Sequence, residues 1–176
     1  RKAAGKSAAV SVSPPRQAML AATAVAPSVT PRPSETCCAA LDRLVRTAIR
    51  MMDNVVDASR FPLPEQQAEA NAKRRIGLGV TGLADALLMV GLRYGSEEAA
   101  KVTEIWMHAI ARAAYLASVD LAKEKGAFPL FDAEGFLASG NMAQMDKDVR
   151  EAIAQHGIRN ALLTSVAPTG TISLYA

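Results

Sequence analysis

The stretch Arg159-Asn-Ala-Leu-Leu-Thr-Ser-Val-Ala-Pro-Thr-Gly-Thr-Ile-Ser-Leu-Tyr-Ala176 constrains the fold more than any other. From Ala161 to Ala167 the residues are mainly apolar, and the run reads as a buried strand of the kind found in α/β sheets. It runs into Pro168-Thr169-Gly170-Thr171, where proline stops ladder pairing and glycine frees the backbone. A strand opening into such a loop gathers backbone N–H groups and two hydroxyls at one spot, a shape that can cradle phosphate oxygens. An ordinary surface turn after a core strand has the same appearance, so spacing alone leaves both readings open.

Upstream, the chain divides near residue 38. Residues 1–38 are rich in Ala, Ser, Pro, Val and Arg, carry prolines at 14, 15, 27, 31 and 33, and show no sustained period. Such a segment buries too little to offset its ordering entropy, so a disordered tail is expected. The tail also holds the charge. Residues 1–40 contain five basic residues and one acidic residue, so the overall +3 leaves the remainder slightly acidic. The basic balance is therefore poor evidence for a DNA- or RNA-binding face, and no nucleic-acid partner is expected.

From Thr36 onward the pattern is orderly. Leu41, Leu44, Val45, Ala48, Met52, Val55 and Val56 recur at helical spacing, with Thr36 as a candidate N-cap. Phe61-Pro62-Leu63-Pro64 forces an extended exit, and Pro64 with Glu65 opens a second, short helix. Gly77-x-Gly79-x-x-Gly82 matches a dinucleotide-binding spacing, but Lys73, Arg74 and Arg75 stand where the apolar strand of such a unit belongs. The glycines fit better inside a strand, where a missing side chain lets another backbone approach. A helix from Thr81 or Gly82 to Met89 follows, with Gly91 as its left-handed cap. Ser96 caps a long helix to Lys125, whose expected core face is Val102, Ile105, Trp106, Ala109, Ile110, Ala113 and Leu116. His108 lies off that stripe. Residues 132–144 read as loop and Asp146 to His156 as a last helix, with His156 near its negative end.

Arg-Asn-Ala-Leu-Leu-Thr-Ser-Val-Ala-Pro-Thr-Gly-Thr-Ile-Ser-Leu resembles the substrate-phosphate loop of ribonucleotide reductase large subunits. The Pro-Thr-Gly-Thr-Ile form looks like the adenosylcobalamin-dependent (class II) branch. Arg50-Met-Met-Asp-Asn-Val-Val-Asp, Lys73-Arg-Arg-Ile-Gly-Leu-Gly-Val-Thr-Gly-Leu-Ala-Asp-Ala-Leu87 and Gly126-Ala-Phe-Pro-Leu-Phe131 resemble the same family.

The resemblance implies an α/β fold: residues 39–176 as an incomplete piece of a ten-stranded α/β barrel, mostly helical in this segment. It implies a parent enzyme that reduces ribonucleotides to deoxyribonucleotides by thiyl-radical chemistry, with adenosylcobalamin as cofactor and a thioredoxin-like reductant. Thr169, Gly170, Thr171 and Ile172, with Ser173 as a further member, would bind substrate phosphate.

No catalytic residue is expected here, because the family's Asn-x-Cys-x-Glu motif is absent and Cys37-Cys38 lacks the matching flanks. No metal-ligand cluster and no membrane span are evident either. A cytoplasmic, homodimeric parent is expected, with this chain a fragment that is inactive alone. The competing reading is a standalone helical module that binds nucleotide or protein without catalysis.

Overall fold

A computed structural model describes residues 35–168 and 170–175. The tail expected over residues 1–38 lies almost wholly outside them. Seven helices occur among the described residues, and two dominate: α1, Glu35–Ala58, and α4, Glu97–Lys125. They run parallel, which the ascending pairs Arg46–Asp120, Arg50–Glu124 and Asn54–Lys125 establish at 2.8, 2.5 and 2.9 Å. These exposed bonds contribute little each. The packing beneath them holds the pair together.

That packing corrects the helical stripes. On α1 the buried line is Val45, Ile49 and Asp53, with Leu41 packed against it, whereas Leu44 and Val55 are exposed. The buried positions recur every four residues, so the stripe is narrower than the full set of apolar residues on the helix. Thr36 falls inside the first turn rather than at the cap, and so do Cys37 and Cys38.

On α4, Val102, Ile110 and Ala113 are buried as expected, but Ile105 and Ala109 face outward. Its C-terminal half is buried nearly all round, through Ala113, Ala114, Tyr115, Ala117, Ser118, Val119, Leu121 and Ala122. The small residues let neighbouring backbones come close on several sides at once.

The remaining caps behave as their residues dictate. Pro64 opens α2, Pro64–Lys73, and Ser96 Oγ accepts the Ala99 N–H at the start of α4. Gly82, at φ 75°, precedes α3, Leu83–Met89, and Gly91, at φ 78°, follows it. Residues 132–144 are not the loop expected. Asp132 caps α5, Ala133–Leu137, by accepting from Gly135 N, and α6, Gly140–Ala143, follows directly. Short helices of this kind carry almost no periodic signal, and the Gly residues that suggested a loop are absorbed into them. Finally, α7, Lys147–His156, lays Val149 and Ile153 on α4 and ends at Gly157, φ 72°.

The strand expected over Ala161 to Ala167 is not formed as a strand among the described residues. A single parallel bridge, Leu78↔Thr164, joins two extended segments. Its bonds are Leu78 N–H to Leu163 O (2.7 Å) and Ser165 N–H to Leu78 O (3.0 Å), preceded by Ile76 N–H to Leu162 O (3.0 Å). Only Leu163 is fully buried; Leu162 is 56% and Val166 90% exposed. A strand covered on both faces needs partners on both edges; among the described residues the backbone bonds of 161–165 go to residues 73–78 alone.

Candidate functional site

The two extended segments approach closely because glycine permits it. A Cβ on Gly77 would stand 2.8 Å from Ser165 Oγ, and one on Gly79 would stand 2.9 Å from the Ser165 carbonyl oxygen. The glycines thus do what the sequence suggested: they admit another backbone. Ser165 lies against them while itself exposed, and the chain continues through exposed Val166, Ala167 and Pro168.

The expected phosphate-binding residues lie just past this exit. Thr169 is outside the described residues. Gly170 forms an exposed turn, and Thr171, Ile172 and Ser173 begin a single 3₁₀ turn, Thr171–Tyr175. Thr171 and Ile172 are solvent-exposed. Of these residues, Gly170, Thr171 and Ile172 are adjacent on an open surface.

Beside the exit is a cleft of about 520 Å³, bordered by Thr81, Gly82, Asp85, Tyr94, Thr103 and the segment 165–167. Asp85 is the charged side chain on its wall, so an anion held there would depend on backbone N–H groups rather than on lysine or arginine. An apolar groove of about 340 Å³ adjoins it, with Leu83, Ile105, Trp106 and Met107 among its walls. His108 and His156 are exposed and stand away from both walls; His108 Nε2 lies 3.2 Å from the Asp146 carboxylate.

Sequence reasoning missed the buried polar cluster immediately before the extended segment. Asp53 is completely buried. Its Oδ1 accepts from Arg74 Nε (2.9 Å) and Asn160 Nδ2 (3.0 Å), and its backbone carbonyl accepts from Arg74 Nη2 (3.0 Å). Arg159 Nε (3.5 Å) and Lys125 Nζ (3.6 Å) face Oδ2. Ser118 Oγ donates to Asn160 Oδ1 (2.9 Å) and accepts from Asn160 N–H (3.1 Å). Arg74 also reaches Asp57 at 2.7 Å, and that hydrogen bond holds the Asp57 carboxyl below its usual range. A signal for Asp53 was present: it continues the buried line 45, 49, 53 of α1, where an unpaired carboxylate could not stay.

The described residues are mostly helical, with two extended segments joined by one parallel bridge and the candidate site just past it. Residues 17–176 match the sequence profile of the ribonucleotide reductase barrel domain, and the chain belongs to that family. Among its relatives, the vitamin B12-dependent ribonucleoside-diphosphate reductase of Mycobacterium tuberculosis (strain CDC 1551 / Oshkosh) is 45% identical over 136 residues, covering 77% of this chain and 17% of the relative. The vitamin B12-dependent ribonucleoside-diphosphate reductase of Thermoplasma acidophilum is 36% identical over 138 residues, covering 77% and 16%. The ribonucleoside-diphosphate reductase subunit alpha of Treponema pallidum (strain Nichols) is 34% identical over 142 residues, covering 77% and 17%. This chain therefore spans only about 17% of the length of such relatives.

Proposed function

We propose that the chain is part of the catalytic barrel of a vitamin B12-dependent ribonucleoside-diphosphate reductase, and that its segment 169–173 holds the substrate's phosphates. The observation that carries this reading is the 45% identity over 136 residues to a B12-dependent relative, in a chain that carries Pro168-Thr169-Gly170-Thr171-Ile172. In a complete ten-stranded α/β barrel, residues 76–80 and 161–167 would become neighbouring parallel strands. Their second edges would then find the partners they lack among the described residues.

In the reaction, the ribose 2′-hydroxyl leaves as water and a hydrogen replaces it, with two electrons drawn from a dithiol of the thioredoxin-like class. When bound, adenosylcobalamin would supply radical initiation. Among the described residues no three His, Cys, Asp or Glu side chains converge on a metal position, and none of this segment's residues is assigned to the cofactor. This segment's own task is binding. Backbone N–H groups at Gly170, Thr171 and Ile172 and the threonine hydroxyls would meet the phosphate oxygens, each charge-assisted bond being roughly twice as strong as a neutral one. That fixes the ribose against reacting groups contributed from outside this segment. No helix among the described residues is long and apolar enough to cross a membrane; a cytoplasmic location is proposed from the family resemblance alone. A homodimer is the proposed assembly.

The test is an assay of the full-length protein with a ribonucleoside diphosphate and a dithiol, with and without adenosylcobalamin. Formation of 2′-deoxynucleotide that requires the cofactor is expected. Thr171→Val should raise KM about tenfold, the loss of one charge-assisted hydrogen bond, with kcat little changed. Absence of deoxynucleotide under all cofactor conditions would leave only the non-catalytic module as an explanation.

A further inference from the structure

The cluster around Asp53 is more elaborate than packing requires. Replacing buried ion pairs by well-packed apolar residues is often neutral or stabilising, so such a cluster is weak as a source of stability; its best-attested use is to specify one arrangement over its neighbours. What this one specifies can be read from its members. Asn160 is completely buried, and its backbone N–H and both side-chain polar atoms are engaged: N–H to Ser118 Oγ, Oδ1 from Ser118 Oγ, Nδ2 to both Asp53 Oδ1 and the Arg74 carbonyl oxygen (3.0 Å).

Arg74 is the one non-glycine among the described residues with positive φ, at 48°. That left-handed backbone costs about 1 kcal/mol or more for an L-residue. Here it turns the Arg74 carbonyl oxygen onto Asn160 Nδ2 while its guanidinium reaches Asp53.

Asn160 and Arg74 stand at the heads of the two extended segments. After Arg74 come Ile76 and Leu78; after Asn160 come Leu162 to Ser165, and these two stretches pair in parallel. Their hydrophobic pattern specifies register poorly, since Leu162 and Val166 are exposed while Leu163 alone is fully buried. A slip of one residue would turn every side chain to the opposite face. Two features prevent it: the polar cluster at Asn160 and the tight seat of Ser165 against Gly77 and Gly79. Beyond Ser165 the chain leaves for Gly170.

We propose that the Asp53–Arg74–Asn160–Ser118 cluster is a register lock, a set of positioning residues that fixes where the Gly170–Ser173 loop emerges and thereby sets affinity for the phosphate end of the substrate. The phosphate part rests on the function proposed above; the register part does not.

The test uses the full-length protein, with inorganic pyrophosphate and the unphosphorylated nucleoside as separate competitive inhibitors. Hydrogen exchange is followed at the Leu78 and Ser165 amides. Three variants are compared: Asn160→Ala, Ser118→Ala and the control Val119→Ala, which empties a buried position on the same helix whose side chain makes none of the cluster's hydrogen bonds.

Asn160→Ala should weaken pyrophosphate inhibition about tenfold and Ser118→Ala about threefold, the scale of one or two lost hydrogen bonds, with the nucleoside constant unchanged. Both amides should lose protection. Val119→Ala should lower thermal stability yet leave both inhibition constants and the two amides as in the native protein.

Equal effects of Val119→Ala and Ser118→Ala would overturn the proposal, as would native amide protection in Ser118→Ala. If Asn160→Ala fails to fold, Ser118→Ala decides alone. Failure of pyrophosphate to inhibit the native protein would sink the phosphate-loop reading instead, and the amide exchange would still judge the lock.

Discussion

The two halves of α4 have the same helical backbone and opposite surroundings. Its C-terminal half, from Ala113 to Ala122, is enclosed by α1, α7 and the segment 158–163, and its polar members Ser118 and Tyr115 are hydrogen-bonded. The N-terminal half rests on a small cluster of Leu87, Ala99 and Val102, and turns Ile105 and one side of Trp106 toward an open groove. The enclosed end holds the polar cluster; the open end borders the candidate site. The contrast teaches that this segment carries its own rigid anchor while the surface expected to meet substrate is open to solvent. Exposed Leu88, Met89, Ile105 and Val166 form apolar surface larger than a stray residue or two would explain.

Breaking the anchor should have the largest effect. Asp53→Ala leaves Arg74 buried beside an empty position, and loss of about 3–5 kcal/mol is expected, read as a collapse of the denaturation midpoint. Next, Ile153→Ala at the enclosed end should cost about 2–5 kcal/mol, whereas Ile105→Ala at the open end should stay within about 0.5 kcal/mol; comparable losses at both would erase the distinction between the halves.

Gly79→Ala probes the junction between them. The new methyl group meets a backbone oxygen that cannot swing aside, so a cost of about 1–3 kcal/mol and faster exchange at Ser165 N–H are expected.

The smallest effect is electrostatic and concerns how α7 is strapped to α4. Hydrogen bonds from Arg112 hold the Asp148 carboxyl down at about 2 and lower that of Asp146 as well. A carboxylate depressed in the folded state stabilises it above its unfolded pKa, and that stabilisation is lost as pH falls toward the folded value. Between about pH 4 and pH 2 the native protein should therefore lose slightly more stability than Arg112→Gln, measured by acid titration of the melting temperature. Identical acid profiles would show that the strap is only a surface decoration.

Much of the helical architecture was legible in the residues. Pro64, Ser96, Gly91 and Gly126 mark their boundaries through backbone chemistry that acts locally, so neighbours in sequence suffice to read them. The candidate loop is a proposal that rests on consecutive residues, Pro168 to Thr171, because a short loop would carry its own donors. The short helices over residues 133–143 were not, because four or five residues cannot display a period.

Ala161 to Ala167 was legible as extended backbone but not as an unpaired edge. Whether extended backbone becomes a strand depends on what lies beside it, and no local pattern records that. The same limit hid the lock. By itself the sequence determined the caps, the long helices and the glycines that admit Ser165. Tertiary structure alone decided that Asp53, Arg74, Ser118 and Asn160 meet, because the bonds that join them span between 21 and 107 positions of the chain. A buried charge is tolerable only where folding brings such distant partners within hydrogen-bonding reach.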